Sequence, residues 1–217
     1  PIKTPHFWTE LNWQSVILFP VSYIWRFGHY AQQKILNTEE TEIPVICVGN
    51  LTVGGSGKTP VVITLCRFLS GIGKSTSILT RGFGGKEKGP IFVSTNLHQS
   101  WDVGDEPLMM AHSLDVCVSR NRPLGANHIL DKKKYDCIVM DDGLQNPTLK
   151  KDLNIAVFDG KFGIGNGFLL PAGPMRQKLE VGIQNIDLVI FNGKDETGLE
   201  QKIPPNIPIF TGELQPD

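Results

Sequence analysis

Val45-Ile46-Cys47-Val48-Gly49-Asn50-Leu51-Thr52-Val53-Gly54-Gly55-Ser56-Gly57-Lys58-Thr59-Pro60 decides the fold of this 217-residue chain. An apolar run rich in β-branched residues passes into a glycine-rich turn and then into a helix start, with Pro60 where a missing N–H is harmless. Strand, loop, helix is the order a phosphate cradle needs. Glycines let successive backbone N–H groups turn inward, the helix start adds partial positive charge, and a lysine reaches the outer phosphates. Thr52, Val53, Gly54, Gly55, Ser56 and Gly57 are therefore the expected nucleotide-binding loop. Lys58 is expected on the β/γ-phosphates of a nucleotide as a catalytic cation, and Thr59 on Mg²⁺. Thr52 stands where the G-x-x-x-x-G-K-[ST] pattern begins with Gly, so the loop is a variant. An ordinary glycine-rich turn is the alternative, and it leaves Lys58 and Thr59 unexplained.

Downstream of this loop, short β-branched runs alternate with helical stretches, the pattern of a parallel sheet covered on both faces. Strands are expected at 43–48, 76–80, 91–93, 115–118, 137–140, 155–158, 188–191 and 207–210. The fold class that follows is α/β, P-loop NTPase-like, with a mostly parallel sheet and helices on both faces.

The run 135–140 ends in Asp141-Asp142-Gly143-Leu144-Gln145. An acid at the end of a strand parallel to the P-loop strand is where a metal-binding carboxylate belongs, so Asp141 and Asp142 are metal candidates, against the alternative of a solvated Asp-Gly turn. Val103-Gly104-Asp105-Glu106-Pro107 reads by itself as a capped helix start. Three arginine-bearing turns accompany it: Arg81-Gly82-Phe83-Gly84-Gly85, Ser119-Arg120-Asn121-Arg122, and Leu170-Pro171-Ala172-Gly173-Pro174-Met175-Arg176. Arginine in such turns can face a phosphate bidentately, or can simply lie on the surface.

With 21 Lys+Arg against 22 Asp+Glu the net charge is -1, which excludes a global positive field that would gather nucleic acid or anionic membrane, so any acidic ligand must be held by local groups. Cys47, Cys66, Cys117 and Cys137 lie in apolar runs without a C-x-x-C pair, so buried, reduced, cytosolic thiols are expected rather than a zinc site or disulfides. No secretory signal is legible, and nothing marks an obligate protein partner. The chain opens on Pro1 and stops at Leu214-Gln215-Pro216-Asp217 without a helix stop, so more protein is expected beyond both ends.

Residues 8–30 are loaded with Trp8, Trp13, Ile17, Leu18, Phe19, Val21, Tyr23, Ile24, Trp25, Phe27 and Tyr30. The longest unbroken apolar run, 16–21, is far short of the roughly 20 residues that span a bilayer. The segment is expected to be either a helix lying in the membrane interface or one packing this face on its own domain.

Taken in order, the segments 48–60, 81–85, 103–107, 141–145 and 170–176 resemble the tetraacyldisaccharide 4'-kinase (lipid A 4'-kinase) family of Gram-negative bacteria, in which the variant first position of the P-loop also occurs. The resemblance implies transfer of the ATP γ-phosphate to the 4'-hydroxyl of a lipid A disaccharide 1-phosphate precursor at the cytoplasmic face of the inner membrane. It implies Asp105 as general base, Mg²⁺ on Thr59 with Asp142 or Glu106, and Arg81, Arg120, Arg122, Arg176 and Gln145 toward phosphate or the anionic headgroup. It also implies a membrane-interfacial helical segment at 1–40 and a kinase core at 41–217 that continues into a C-terminal lobe. The chain departs from the family at Asn146, where a His is frequent. It has no His after His128, so the His that assists the family's base is not among these residues, and little or no activity is expected of them alone.

Two other functions compete. A P-loop GTPase or metallochaperone-type switch needs N-K-x-D, and Asn192-Gly193-Lys194-Asp195 places its lysine one residue late. A nucleotide-gated membrane adaptor would bind nucleotide and membrane without transferring phosphate.

Overall fold

The computed structural model describes residues 5–213, with every side chain in that range except those of 25–35. Trp25, Phe27 and Tyr30 as side chains, Pro1, and the tail 214–217 therefore lie outside the described residues. In chain order the elements are α1 (Trp13–Ile35), β1 (Val45–Gly49), α2 (Lys58–Gly71), β2 (Thr76–Thr80), β3 (Ile91–Phe92), α3 (Ser100–Val103) and α4 (Asp105–Met110). They continue with β4 (Val116–Val118), α5 (Arg122–Leu130), β5 (Cys137–Asp141), β6 (Leu153–Asp159), α6 (Leu179–Gly182), β7 (Leu188–Asn192) and β8 (Ile209–Gly212). The chain divides into two units, one of residues 37–49 and 58–153, the other of 1–36, 50–57 and 154–217.

In the first unit the strands run in the order β3-β4-β2-β5-β1, parallel except for β3, which pairs antiparallel with β4. The connection β1–α2–β2 moves one way along this order and β4–α5–β5 moves the other. Crossovers of this kind are right-handed, so α2 and α5 fall on opposite faces. Both faces are thereby covered, and the strands read as continuous apolar runs. Val45, Cys47, Leu79, Cys117, Ala126, Ile129, Ile138, Met140 and Leu149 form a core cluster to which α5 contributes Ala126 and Ile129.

In the second unit β6, β7 and β8 pair in parallel, with Phe158 and Phe191 in ring contact at 5.9 Å. Every expected strand segment contains a strand, and the fold class is the one the sequence indicates. The shifts have a common cause. β1 begins at Val45 rather than at 43, and β8 at Ile209 rather than at 207. Pro44 and Pro208 have no N–H to give a ladder and only accept, from Ile138 N–H and Val189 N–H.

All four cysteines are buried and unpaired. Burial pushes the Cys47 thiol up to about 12 and those of Cys66 and Cys117 up to about 11, and raises that of Cys137.

Among its described side chains, α1 is built inside out. Its buried positions are Ser15 and Ser22, two helical turns apart, whose hydroxyls donate to Phe7 O (2.9 Å) and Leu169 O (2.9 Å). Trp13, Val16, Ile17, Tyr23 and Ile24 are left 57–74% exposed. Asn12 caps the helix by accepting from Ser15 N–H at 3.1 Å. Among the described residues no helix is long and apolar enough to cross a membrane.

Candidate functional site

In the first unit the C-terminal ends of β1 and β5 lie side by side because their parallel register sets Val48 opposite Asp141. Asp142 N–H donates to Val48 O at 2.9 Å, and Asp142 takes a left-handed backbone, φ 51°, that Asp tolerates better than most residues. α2 opens on Lys58, whose Nζ stands 3.8 Å from Asp142 Oδ1. That is close enough for charge attraction and too long for a direct hydrogen bond. Thr59 Oγ1 donates to Glu106 Oε2 at 3.1 Å. Lys58, Thr59, Glu106 and Asp142 are thus brought together as expected.

Asp141 sits deeper, 4% exposed. Thr80 Oγ1, at the end of neighbouring β2, donates to its Oδ2 at 3.0 Å, while Oδ1 is buried with no hydrogen-bond partner among the described residues. Burial, and then the adjacent Asp142 carboxylate, push Asp141 up to about 6 against the pull of Thr80 and Lys58. An oxygen left unpaired at such a place is waiting for a cation or a proton. Thr80 was not singled out by the sequence; nothing local distinguishes it, because its role comes from the β2–β5 pairing.

Asp105 is the first residue of α4, and Gly104 is the N-cap, with φ 96°. No capping hydrogen bond from a side chain is made there, and the exposed Asp105 carboxylate has no hydrogen bond or ion pair among the described residues. The helix-cap reading of Asp105 is therefore not what the structure shows. The turn bearing Arg81 lies against the approach to Asp105: Lys86 N–H donates to Trp101 O (3.0 Å), Glu87 N–H to Asp102 O (2.9 Å), and Lys86 Nζ pairs with Asp102 at 2.8 Å. Arg81 is exposed, and Arg120, also exposed, donates through Nη2 to Gly85 O at 3.1 Å.

Arg122, expected toward phosphate or the anionic headgroup, is buried to 3% exposure and occupied by backbone carbonyls. Its Nη1 donates to Ser119 O (2.8 Å) and its Nη2 to Asp141 O (3.2 Å), tying the ends of β4 and β5 together. Burial draws this guanidinium below its ordinary range, and the Asp141 and Asp142 carboxylates oppose that. Arg122→Met removes two charge-assisted hydrogen bonds and the counter-charge of a buried carboxylate. Denaturant unfolding should show a loss of about 3 kcal/mol. Arg120→Met, at the surface, should leave the midpoint nearly unchanged.

In the second unit the loop 50–57 is held from within and from the side. Asn50, fully buried, donates through Nδ2 to Ser56 Oγ at 3.0 Å. Val53 N–H donates to Pro174 O (2.8 Å), Arg176 N–H donates to Leu51 O (2.8 Å), and Thr52 bridges Met175. The 170–176 run therefore buttresses the loop through its backbone. Gly57 has φ 79°, and a Cβ there would stand 2.6 Å from Asn192 Nδ2. Asn50 and Asn192 were not assigned roles from sequence; an Asn directly after the strand was the available signal for the first. Asp195 is occupied within its own turn, accepting from Thr197 N–H (2.9 Å), Thr197 Oγ1 (2.8 Å) and Glu200 N–H (2.8 Å). It is not free to read a guanine edge. Gln145 is half-buried on the loop after β5.

The chain matches the family model described as tetraacyldisaccharide-1-P 4'-kinase (LpxK) over residues 14–217. It is 39% identical over 221 residues to tetraacyldisaccharide 4'-kinase of Rhodospirillum rubrum, covering 99% of this chain and 66% of that protein. Its identity to the enzyme of the same name from a Bradyrhizobium species is 40%, over 100% of this chain and 63% of the relative. The structure resembles that of LpxK from Aquifex aeolicus, solved in complex with ATP, with a TM-score of 0.76 at 33% identity over 91% of this chain and 64% of the other. The chain thus spans just under two thirds of the length of these relatives. A strand leading into the glycine-rich loop beside a strand ending in Asp141-Asp142 agrees with a family match running from within α1 to the last residue, and the chain belongs to the tetraacyldisaccharide-1-P 4'-kinase family.

Proposed function

We propose that this protein transfers the γ-phosphate of ATP to the 4'-hydroxyl of a tetraacylated glucosamine disaccharide 1-phosphate. The observation that carries this reading is the gathering of Lys58, Thr59, Glu106, Asp141 and Asp142 at the ends of β1 and β5, in a chain of this family. The loop 52–57 supplies inward N–H groups to the phosphates, and Lys58 offsets their charge. Among the described residues no three His, Cys, Asp or Glu side chains gather tightly enough to hold a metal alone. That suits Mg²⁺, which takes one or two protein oxygens and leaves the rest to phosphate and water. The unpaired Oδ1 of Asp141 and the Thr59 hydroxyl beside Glu106 fit it, with Asp142 next in line. When bound, Mg²⁺ draws charge from the phosphate oxygens.

Asp105 accepts the proton of the 4'-hydroxyl as that oxygen bonds to the γ-phosphorus and the bond to the β-phosphate oxygen breaks, leaving ADP. Its open, uncapped carboxylate supports this role. Arg81, Arg120, Arg176 and Gln145 face phosphate or headgroup, while Arg122 positions Asp141 from behind. Residues 1–40 form the segment that meets the cytoplasmic face of the inner membrane, supported by the outward apolar side of α1. Residues 41–217 belong to the kinase core.

The guanine-reading rival is disfavoured by Asp195, which caps its own turn. Competition binding should show ATP displacing a labelled ATP analogue while GTP does so no better. Incubating a form that continues into the C-terminal lobe with γ-labelled ATP and the lipid disaccharide should move label to the disaccharide. Nucleotide and vesicle binding without any transferred label would favour the adaptor instead.

A further inference from the structure

Beside the turn that follows β6 lies a cavity of about 340 Å³, within the unit that carries α1. None of the loop 50–57 lines it; Lys161, Phe162, Gly165, Asn166, Leu199 and Lys202 are among the residues that do. Its volume is at the lower end of the range for small-ligand sites, and its lining pairs apolar walls with two exposed cations. Neither Lys161 nor Lys202 is in an ion pair among the described residues.

Two neighbouring carboxylates are occupied within their own turns, while Glu10, Glu196 and Glu200 are exposed outside the lining. Asp159 Oδ1 accepts from Lys161 N–H (2.8 Å) and Phe162 N–H (3.1 Å), and Asp195 is held by Thr197 and Glu200. No carboxylate is among the residues that line the cavity, so its wall offers two ammonium groups, which favours an anion.

What kind of anion follows from the wall. Asn166 donates through Nδ2 to Phe7 O (2.8 Å) and to Ser15 Oγ (3.1 Å), and Gly165 backs directly onto the Trp8 carbonyl. One wall is thus fastened to the start of α1, whose outward side carries Trp13, Val16 and Ile17. If that side lies in a membrane interface, the cavity is tied to the segment that meets the headgroups. We propose that this cavity binds the phosphate of an anionic glycerophospholipid headgroup, fixing how the protein sits on the bilayer. The inference rests on the interfacial reading of α1 but not on the transfer reaction.

The test compares the full chain with Lys161→Gln/Lys202→Gln, and separately with Val16→Asp/Ile17→Asp, on vesicles of phosphatidylcholine alone or with phosphatidylglycerol. The unaltered protein should prefer the anionic vesicles. The lysine pair variant should bind them about 30-fold more weakly while partitioning unchanged onto phosphatidylcholine. A full preference retained without the two lysines, or no preference in the unaltered protein, overturns the inference. Dihexanoyl phosphatidylglycerol, titrated below its micelle concentration, should shift the amide resonances of Gly163, Gly165 and Gly167 in the unaltered protein and in the α1 variant alike. No shift there overturns the site, and equal shifts from inorganic phosphate overturn the lipid assignment. Unchanged vesicle partitioning in the α1 variant would sink the interfacial reading of the helix, and the amide shifts would still decide the cavity.

Discussion

In a form that continues into the C-terminal lobe, Asp105→Asn should lower turnover by about 10²–10⁴-fold with no change in thermal midpoint. Asp105 makes no cap, hydrogen bond or ion pair among the described residues, so its replacement by a near-isosteric amide disturbs no contact that holds the fold. What it loses is the capacity to accept a proton, since an amide oxygen is a poor base. Phosphoryl transfer asks a protein mainly for positioning and electrostatics, yet an alcohol acceptor must still shed its proton. Steady-state rates with labelled ATP and lipid disaccharide, beside a melting curve and an ATP titration, check this. Near-normal turnover in Asp105→Asn would remove it as the base and shift attention to Glu106, the other exposed acid of that turn.

In the same longer form, Lys58→Ala should reduce turnover by about 10²–10³-fold and weaken ATP binding, because a preorganised cation at the migrating phosphoryl group is lost. The side chain is 14% exposed and stands 3.8 Å from Asp142 without a direct hydrogen bond. Asp142 is itself 36% exposed, so water compensates it when Lys58 is removed, and the melting curve should scarcely move. Lys58→Arg should recover little, since a planar fork does not replace a compact ammonium at the end of a glycine loop. A Lys58→Ala protein with wild-type kinetics would mean that residues 52–58 are not the phosphate loop.

Both proposals rest on signals that are local in the sequence. Lys58 follows a glycine run within a few residues, and Asp105 lies in a short motif that keeps company with four others. The same holds for the strands, whose β-branched runs mark them one by one, with Pro44 and Pro208 trimming two of the starts. What was hidden depends on pairing across the sheet. The antiparallel course of β3 is set by its register with β4, Ile91 against Val118, and two residues of sequence carry no sign of direction. Arg122 looked like its neighbours Arg81 and Arg120, and only the meeting of the ends of β4 and β5 gives it two carbonyls to bind. The 170–176 run was read for its arginine, whereas its backbone does the supporting, at Pro174 and Met175. Exposure was misleading in α1, where the small polar serines face inward and the large apolar residues face out.

The four buried thiols have a practical meaning for all of these measurements. Cys47, Cys66, Cys117 and Cys137 stand on β1, α2, β4 and β5, one in each of four elements of the same unit. Alkylating reagents attack thiolates, and thiols raised to about 11 or 12 hold almost none at neutral pH even before burial blocks access. Each cysteine is therefore silent while its element is closed and reactive only when it opens. A pulse of iodoacetamide read by peptide mass then times the opening of each strand or helix without any introduced label, and bound ATP should slow Cys47, at the root of the phosphate loop, more than Cys117.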